Sequence, residues 1–140
     1  MYAAENVLFE EKEKIGNYWL AGVGKKGPEA VFSLDLKQYK NVTGFKIKNT
    51  KNETKRDQGT KKFTIYSEDK ILMSEELDDI QNMKDEVPTV SFSLDPPQLI
   101  RYLKFQIDSF YGTGGGLQYF SVIGICIQII KFHIRRTYRF

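Results

Sequence analysis

Arg101-Tyr-Leu-Lys-Phe-Gln-Ile-Asp108 sets Leu103, Phe105 and Ile107 on one side and Lys104 and Gln106 on the other. Apolar and polar residues that alternate over a short run mark a strand with one buried and one wet face. The same period recurs on both sides of this stretch. Thr89–Asp95 sets Val90, Phe92 and Leu94 against Ser91 and Ser93, and Lys62–Ser67 sets Phe63 and Ile65 against Thr64 and Tyr66. Val42–Asn49 turns Phe45 and Ile47 inward and Lys46 and Lys48 outward. Ala30–Leu36 places Ala30, Phe32, Leu34 and Leu36 opposite Ser33 and Asp35, and Leu117–Ile123 closes the series. Short strands of this kind predict an all-β sandwich of two antiparallel sheets packed face to face.

The breaks between them carry turn chemistry. Gly22-Val-Gly24-Lys-Lys-Gly27-Pro28 reads as a loop, and Asn49–Gly59 is long, polar and charged. Pro96-Pro97 is read as breaking the chain after Asp95. Gly112-Thr-Gly114-Gly115-Gly116 is read as an obligate loop, its glycines free to take positive φ. Leu77, Ile80 and Met83 lie three apart in Ser74–Glu86. That is a helical spacing in a short segment without strong caps, so helix and loop both stand.

At 140 residues the chain is long enough for one domain with a core that needs no covalent staple. Ten Phe, eight Tyr and only four Pro argue against disorder. Cys126 is the only cysteine, so no disulfide forms within the chain. That fits a reducing compartment or a bacterial-style secreted module. A net charge of +3 is too mild to imply nucleic acid, and much of the excess sits in Lys131, Arg135, Arg136 and Arg139. Met1-Tyr-Ala-Ala-Glu-Asn6 does not read as a signal peptide, and Ser121–Ile130 is too short to span a bilayer.

Catalytic constellations are missing. His133 is the only histidine and lies in the tail, so no Ser/His/Asp or Cys/His set can be built inside the fold. Cys126 and His133 are too few for zinc, which takes about four ligands. Gly112–Gly116 lacks a following Lys-Ser/Thr and precedes a strand, which excludes a phosphate cradle. The many carboxylates read as a charged surface, and no enzyme is expected.

Four segments, in order, resemble the discoidin family, also called coagulation factor V/VIII type C domains. They are Asn17-Tyr-Trp19-Leu-Ala-Gly22; Phe32-Ser-Leu-Asp35-Leu; Arg56-Asp-Gln-Gly59-Thr60-Lys-Lys-Phe63; and Arg101-Tyr-Leu-Lys-Phe105 running into Tyr111-Gly112-Thr-Gly-Gly-Gly-Leu117-Gln-Tyr-Phe120. The resemblance implies a jelly-roll β-sandwich, galactose-binding domain-like, over residues 1–124. It leaves 125–140 as an apolar and basic tail, either an extra strand or an interface. Trp19 is expected as a buried anchor, Asp35 as a hydrogen-bonding residue at a strand end, and Gly59-Thr60 as a turn with a local hydrogen bond. Arg101 is expected to pair with a carboxylate or carbonyls at the sheet end.

What the resemblance implies for function is binding, through loops at one end of the barrel: sugars in many members, anionic lipid or protein in others. Calcium-bearing members place an acidic residue where this chain has Phe9 and a glutamate where it has Tyr119. Glu10 and Glu11 can stand in for the first and nothing replaces the second, so no cofactor is expected. The charged loop Glu10–Gly16 weakens a membrane reading. The candidate site joins the Asn49–Arg56 and Tyr111–Gly116 loops. Tyr111 offers an aromatic face, Asn49, Asn52 and Arg56 offer hydrogen bonds, and Lys51 or Lys55 can favour an acidic sugar. Asn49 also reads as a residue that satisfies backbone groups in a turn.

The expected partner is a glycan or glycoprotein. A protein partner, or an anionic surface, held through the tail is the alternative, and nucleic acid is not expected. The sequons Asn41-Val-Thr43 and Asn52-Glu-Thr54 point outside the cell. The missing signal peptide, free Cys126 and the tail point inside.

Overall fold

A computed structural model describes residues 19–50, 58–81 and 87–124. Its strands are β1 (Trp19–Val23), β2 (Val31–Asn49), β3 (Gln58–Thr60), β4 (Lys62–Ser67), β5 (Lys70–Glu76), β6 (Val90–Ile107), β7 (Phe110–Gly112) and β8 (Gly114–Gly124), with one 3-10 turn at Gly27–Glu29. They follow one hydrogen-bonded path, β5-β4-β6-β2-β8-β3-β7, and β1 adds onto β8. Pairing is antiparallel except for a single parallel contact of Gln58 with Gly114.

The long strands β2 and β6 decide the shape. Val31 lies opposite Gln106 and Ile47 opposite Val90, and the register slips between Asp35 and Lys40 and again between Val42 and Gly44. Extra residues in one strand bend a ribbon and increase its twist. Here the ribbon folds over on itself. Phe92, in the first half of β6, packs edge-on against Phe63, whose strand pairs with the second half through Ile107. Phe32 and Phe105 likewise meet Phe120 of β8, which pairs with the far half of β2. One curled sheet thereby makes two facing layers, the jelly-roll sandwich, with the core between them.

That core is aromatic. Phe105 stacks on Phe32 at 5.3 Å and on Phe63 at 5.0 Å between ring centres. Trp19 is buried, as expected, with its ring edge-on to Phe32 at 5.1 Å. Aromatic pairs add roughly 0.5–1.5 kcal/mol each beyond the area they bury. The inward residues read from alternation are buried at Phe32, Phe45, Ile47, Phe63, Ile65, Leu94, Leu103, Phe105 and Ile107. Val90 departs from the pattern at 36% exposure, because it begins β6 at the rim of the layer. Lys48, expected outward, is buried opposite Tyr119 of β8. Thr64, also expected outward, is buried where its hydroxyl meets Ser74 and Asp108.

The structure corrects four local expectations. Ala30–Leu36 and Val42–Asn49 belong to one strand, β2, apart from Ala30, which precedes it. Pro96-Pro97 does not end a strand: β6 runs through it. Between Val42, opposite Gln98, and Gly44, opposite Ser93, β6 carries extra residues that have no ladder position, and there a missing N–H does no harm. Gly59-Thr60 is not a turn but part of β3. A Cβ on Gly59 would come within 2.5 Å of Gln81 Nε2, the end of the side chain that holds the Thr50 carbonyl. Thr60 Oγ1 donates to the Gly116 carbonyl at 2.6 Å, across the fold rather than locally.

The glycine run is the fourth. Gly112 alone takes positive φ, at 74°, while Gly114, Gly115 and Gly116 begin β8. A Cβ on Gly115 would lie 2.7 Å from Ile107 Cδ1, and one on Gly116 would collide with the Trp19 carbonyl. In Ser74–Glu86, Ser74–Glu76 completes β5 and residues 77–81 form no helix, while 82–86 lie outside the described residues. Leu77 and Ile80 are buried nonetheless. β8 ends at Gly124, and the tail 125–140 with Cys126 and His133 also lies outside the described residues.

Candidate functional site

Folding the ribbon over gives the barrel two unlike ends. The bends at Asp35–Lys40 and Leu94–Gln98 and the β4–β5 turn gather at one. At the other meet Asn49, β3, β7, the start of β8 and the strap Leu77–Gln81.

Asn49 ends β2 and is buried. Its Oδ1 accepts from the Thr50 and Thr60 N–H groups at 2.8 and 2.9 Å. Its Nδ2 donates to the carbonyls of Thr60 at 2.8 Å and Asp78 at 3.1 Å. The side chain ties β2 to β3 and to the strap, the backbone role that its residue type already allowed. Gln81 Nε2 donates to the Thr50 carbonyl at 2.8 Å and so fastens the other end of the strap.

Tyr111 sits on β7 opposite Gly59 and is half-buried. Its hydroxyl donates to the Leu77 carbonyl at 2.8 Å, which fixes the ring against the strap. Burial, then the carboxylates of Glu76, Asp79 and Asp78, raises its pKa, so the phenol keeps its proton. Lys61 Nζ stands 5.8 Å from the ring centre. The result is a rigid aromatic ring with a cation on it and acids beside it. A shallow cleft of about 490 Å³ adjoins, lined by Lys62, Phe63, Ser74, Glu75, Glu76 and Asp108. Both Asp108 oxygens are engaged, by Thr64 Oγ1 at 2.5 Å and Gln106 Nε2 at 2.9 Å.

Of the residues singled out in sequence, the structure brings Asn49 and Tyr111 to the same end, Asn49 facing inward and Tyr111 at the surface. Lys51, Asn52 and Arg56 lie outside the described residues. Thr50 and Gln58, which bracket them, are both buried at this end. Sequence reasoning missed Lys61 and the strap. The buried pair Leu77 and Ile80 was the one available signal for the strap, and no pattern singled out Lys61.

Among the described residues no three His, Cys, Asp or Glu side chains stand where they could hold a metal ion. Tyr119, at the position of the glutamate in calcium-bearing relatives, is buried and offers no carboxylate. The described residues therefore do not fit a calcium site of that kind.

At the opposite end Arg101 pairs with Asp35, as expected: Nε to Oδ1 at 3.0 Å and Nη2 to Oδ2 at 3.4 Å. Asp35 Oδ1 also accepts the Lys37 N–H at 2.8 Å. The Arg101 hydrogen bond, then that backbone one, holds the Asp35 carboxyl below its ordinary range.

No protein-family model matches the chain, and no curated protein matches it. Solved structures do. The family 32 carbohydrate-binding module of Streptococcus pneumoniae EndoD matches with a TM-score of 0.64 at 12% identity, over 89% of this chain and 86% of that one. An F5/8 type C domain from Bacteroides fragilis matches with a TM-score of 0.61 at 9% identity, over 86% and 80%. The chain has the discoidin-like jelly-roll fold. A CBM32 protein from Clostridium perfringens shares the discoidin-like fold with a TM-score of 0.50 at 15% identity, over 86% and 83%.

Proposed function

We propose that the chain is a non-catalytic carbohydrate-binding module whose ligand surface is the end of the barrel around Tyr111. The observation that carries this reading is the Tyr111 ring, surface-facing yet locked by its hydrogen bond to Leu77. A sugar presents a C–H face to an aromatic ring and its hydroxyls to fixed polar groups. Lys61 and the strap acids stand beside the ring, and the hydrogen-bonding chemistry of Lys51, Asn52 and Arg56 makes them the proposed hydroxyl partners. Asn49 contributes by holding the strap. Two of the solved structures that share the fold are named as carbohydrate-binding modules, which supports the same class of ligand here.

A glycan array probed with the purified chain, with calcium and with a chelator, tests the reading. Reproducible binding to one sugar class, unchanged by the chelator, is the expected result. A blank array would overturn it and turn attention to a protein partner.

A further inference from the structure

The fold-over end carries a second constellation that the loop-end reading leaves unused. Tyr39, on the β2 bend, and Tyr102, on β6, are 55% and 41% exposed. Both lie close enough to Arg101 for electrostatic interaction, and the Tyr102 ring centre is 4.9 Å from its guanidinium carbon. Arg101 is itself held by both oxygens of Asp35. The ring is therefore braced by a clamped cation, so little side-chain freedom remains to be lost on binding. Beside it lies a cleft of about 390 Å³, lined by Ser33, Asp35, Glu68, Tyr102, Leu103 and Lys104.

The charges around this cleft are of both signs. Asp35, Glu68 and Lys104 line it, Arg101 and Lys37 both act on Asp35, and the Lys104 ammonium already rests 4.5 Å from the Tyr66 ring centre. Neither an anion nor a cation meets a surface of one opposite sign there. A neutral polyol gains from all of it, because guanidinium and ammonium donate, carboxylates accept, and the Ser33 hydroxyl does both. A large ring left in water and braced from one side supplies the platform for a C–H face.

We propose that this cleft, with Tyr102 as platform and the Asp35–Arg101 pair as the hydrogen-bonding edge, is a second ligand site, for a neutral sugar. It lies by the bend, where Tyr102 stands opposite Asp35, and not at the Tyr111 end, and it does not rest on the loop-end reading. A chain with a site at each end holds two glycan strands at once, and linked sites raise avidity well above either affinity.

Amide chemical-shift mapping during titration with galactose and N-acetylglucosamine, and separately with glucuronate and glucosamine, tests the proposal. The neutral sugars are expected to shift the amides of Ser33, Tyr102 and Lys104 saturably at millimolar concentration. Tyr102→Ala, at a partly exposed ring, is expected to weaken those shifts at least tenfold while any shifts around Tyr111 persist. Tyr39→Ala serves as the second variant, since its side chain lies on the bend outside the core. Shifts confined to the Tyr111 end would overturn this site and leave the first reading standing. Shifts at neither end would overturn both for these sugars, and a preference for the charged sugars at Tyr102 would overturn the neutral-ligand claim.

Discussion

Asn49 has an acceptor oxygen and two amide hydrogens, and all of them are engaged by Thr50, Thr60 and Asp78. Replacing it with alanine leaves buried backbone groups without partners, at about 1–3 kcal/mol for each such group. Asn49→Ala is accordingly expected to lower the urea midpoint by the equivalent of roughly 4 kcal/mol or more, from the four groups it serves. An unchanged midpoint with lost sugar binding would instead make Asn49 a ligand contact. Gly116→Ala is expected to destabilise by about 1–3 kcal/mol or more, because the new methyl meets the Trp19 carbonyl and Thr50 Oγ1; a wild-type melt would refute the close-approach account. At this scale the sequence showed Trp19 and the inward Phe residues plainly, since their period is local. It did not show why Asn49 or Gly116 is needed, since their partners come from remote strands. A glycine kept for positive φ, as at Gly112, and one kept for space, as at Gly116, are spelled alike.

Among the elements, the half-strands of β2 and β6 were legible and their continuity was not. Alternation reports which face is buried. It does not reveal whether a proline pair ends a strand or rides in a slipped register, as Pro96-Pro97 does. At the other slip, which begins at Asp35, the Asp35–Arg101 pair ties β2 to β6; both side chains are about one-third exposed, so its contribution is modest and screened by solvent. The folded-state pKa of Asp35 lies below its ordinary value of about 3.9. Ionised Asp35 therefore adds stability above that range, and the contribution is lost as pH falls through the depressed folded value. Asp35→Asn is expected to melt below the wild type at neutral pH, with the gap closing in acid. A gap that stays constant down to the lowest pH at which both fold would contradict this.

For the whole molecule, a folded-over ribbon produces a two-layer core and two exposed ends from the same pair of bends. The end where Asn49 and Tyr111 meet was legible through the discoidin resemblance. Lys61 and the strap Leu77–Gln81 were not, because they approach Tyr111 only after β3, β4 and β5 are in place. Calorimetric titration of a sugar selected by array, into the wild type and into the Arg56→Ala, Tyr111→Ala double variant, tests the central claim most directly. The account predicts saturable binding by the wild type. For the double variant it predicts affinity at the loop end at least tenfold weaker, about 1.4 kcal/mol, with the cooperative melt retained. Equal affinity in a folded double variant would contradict it.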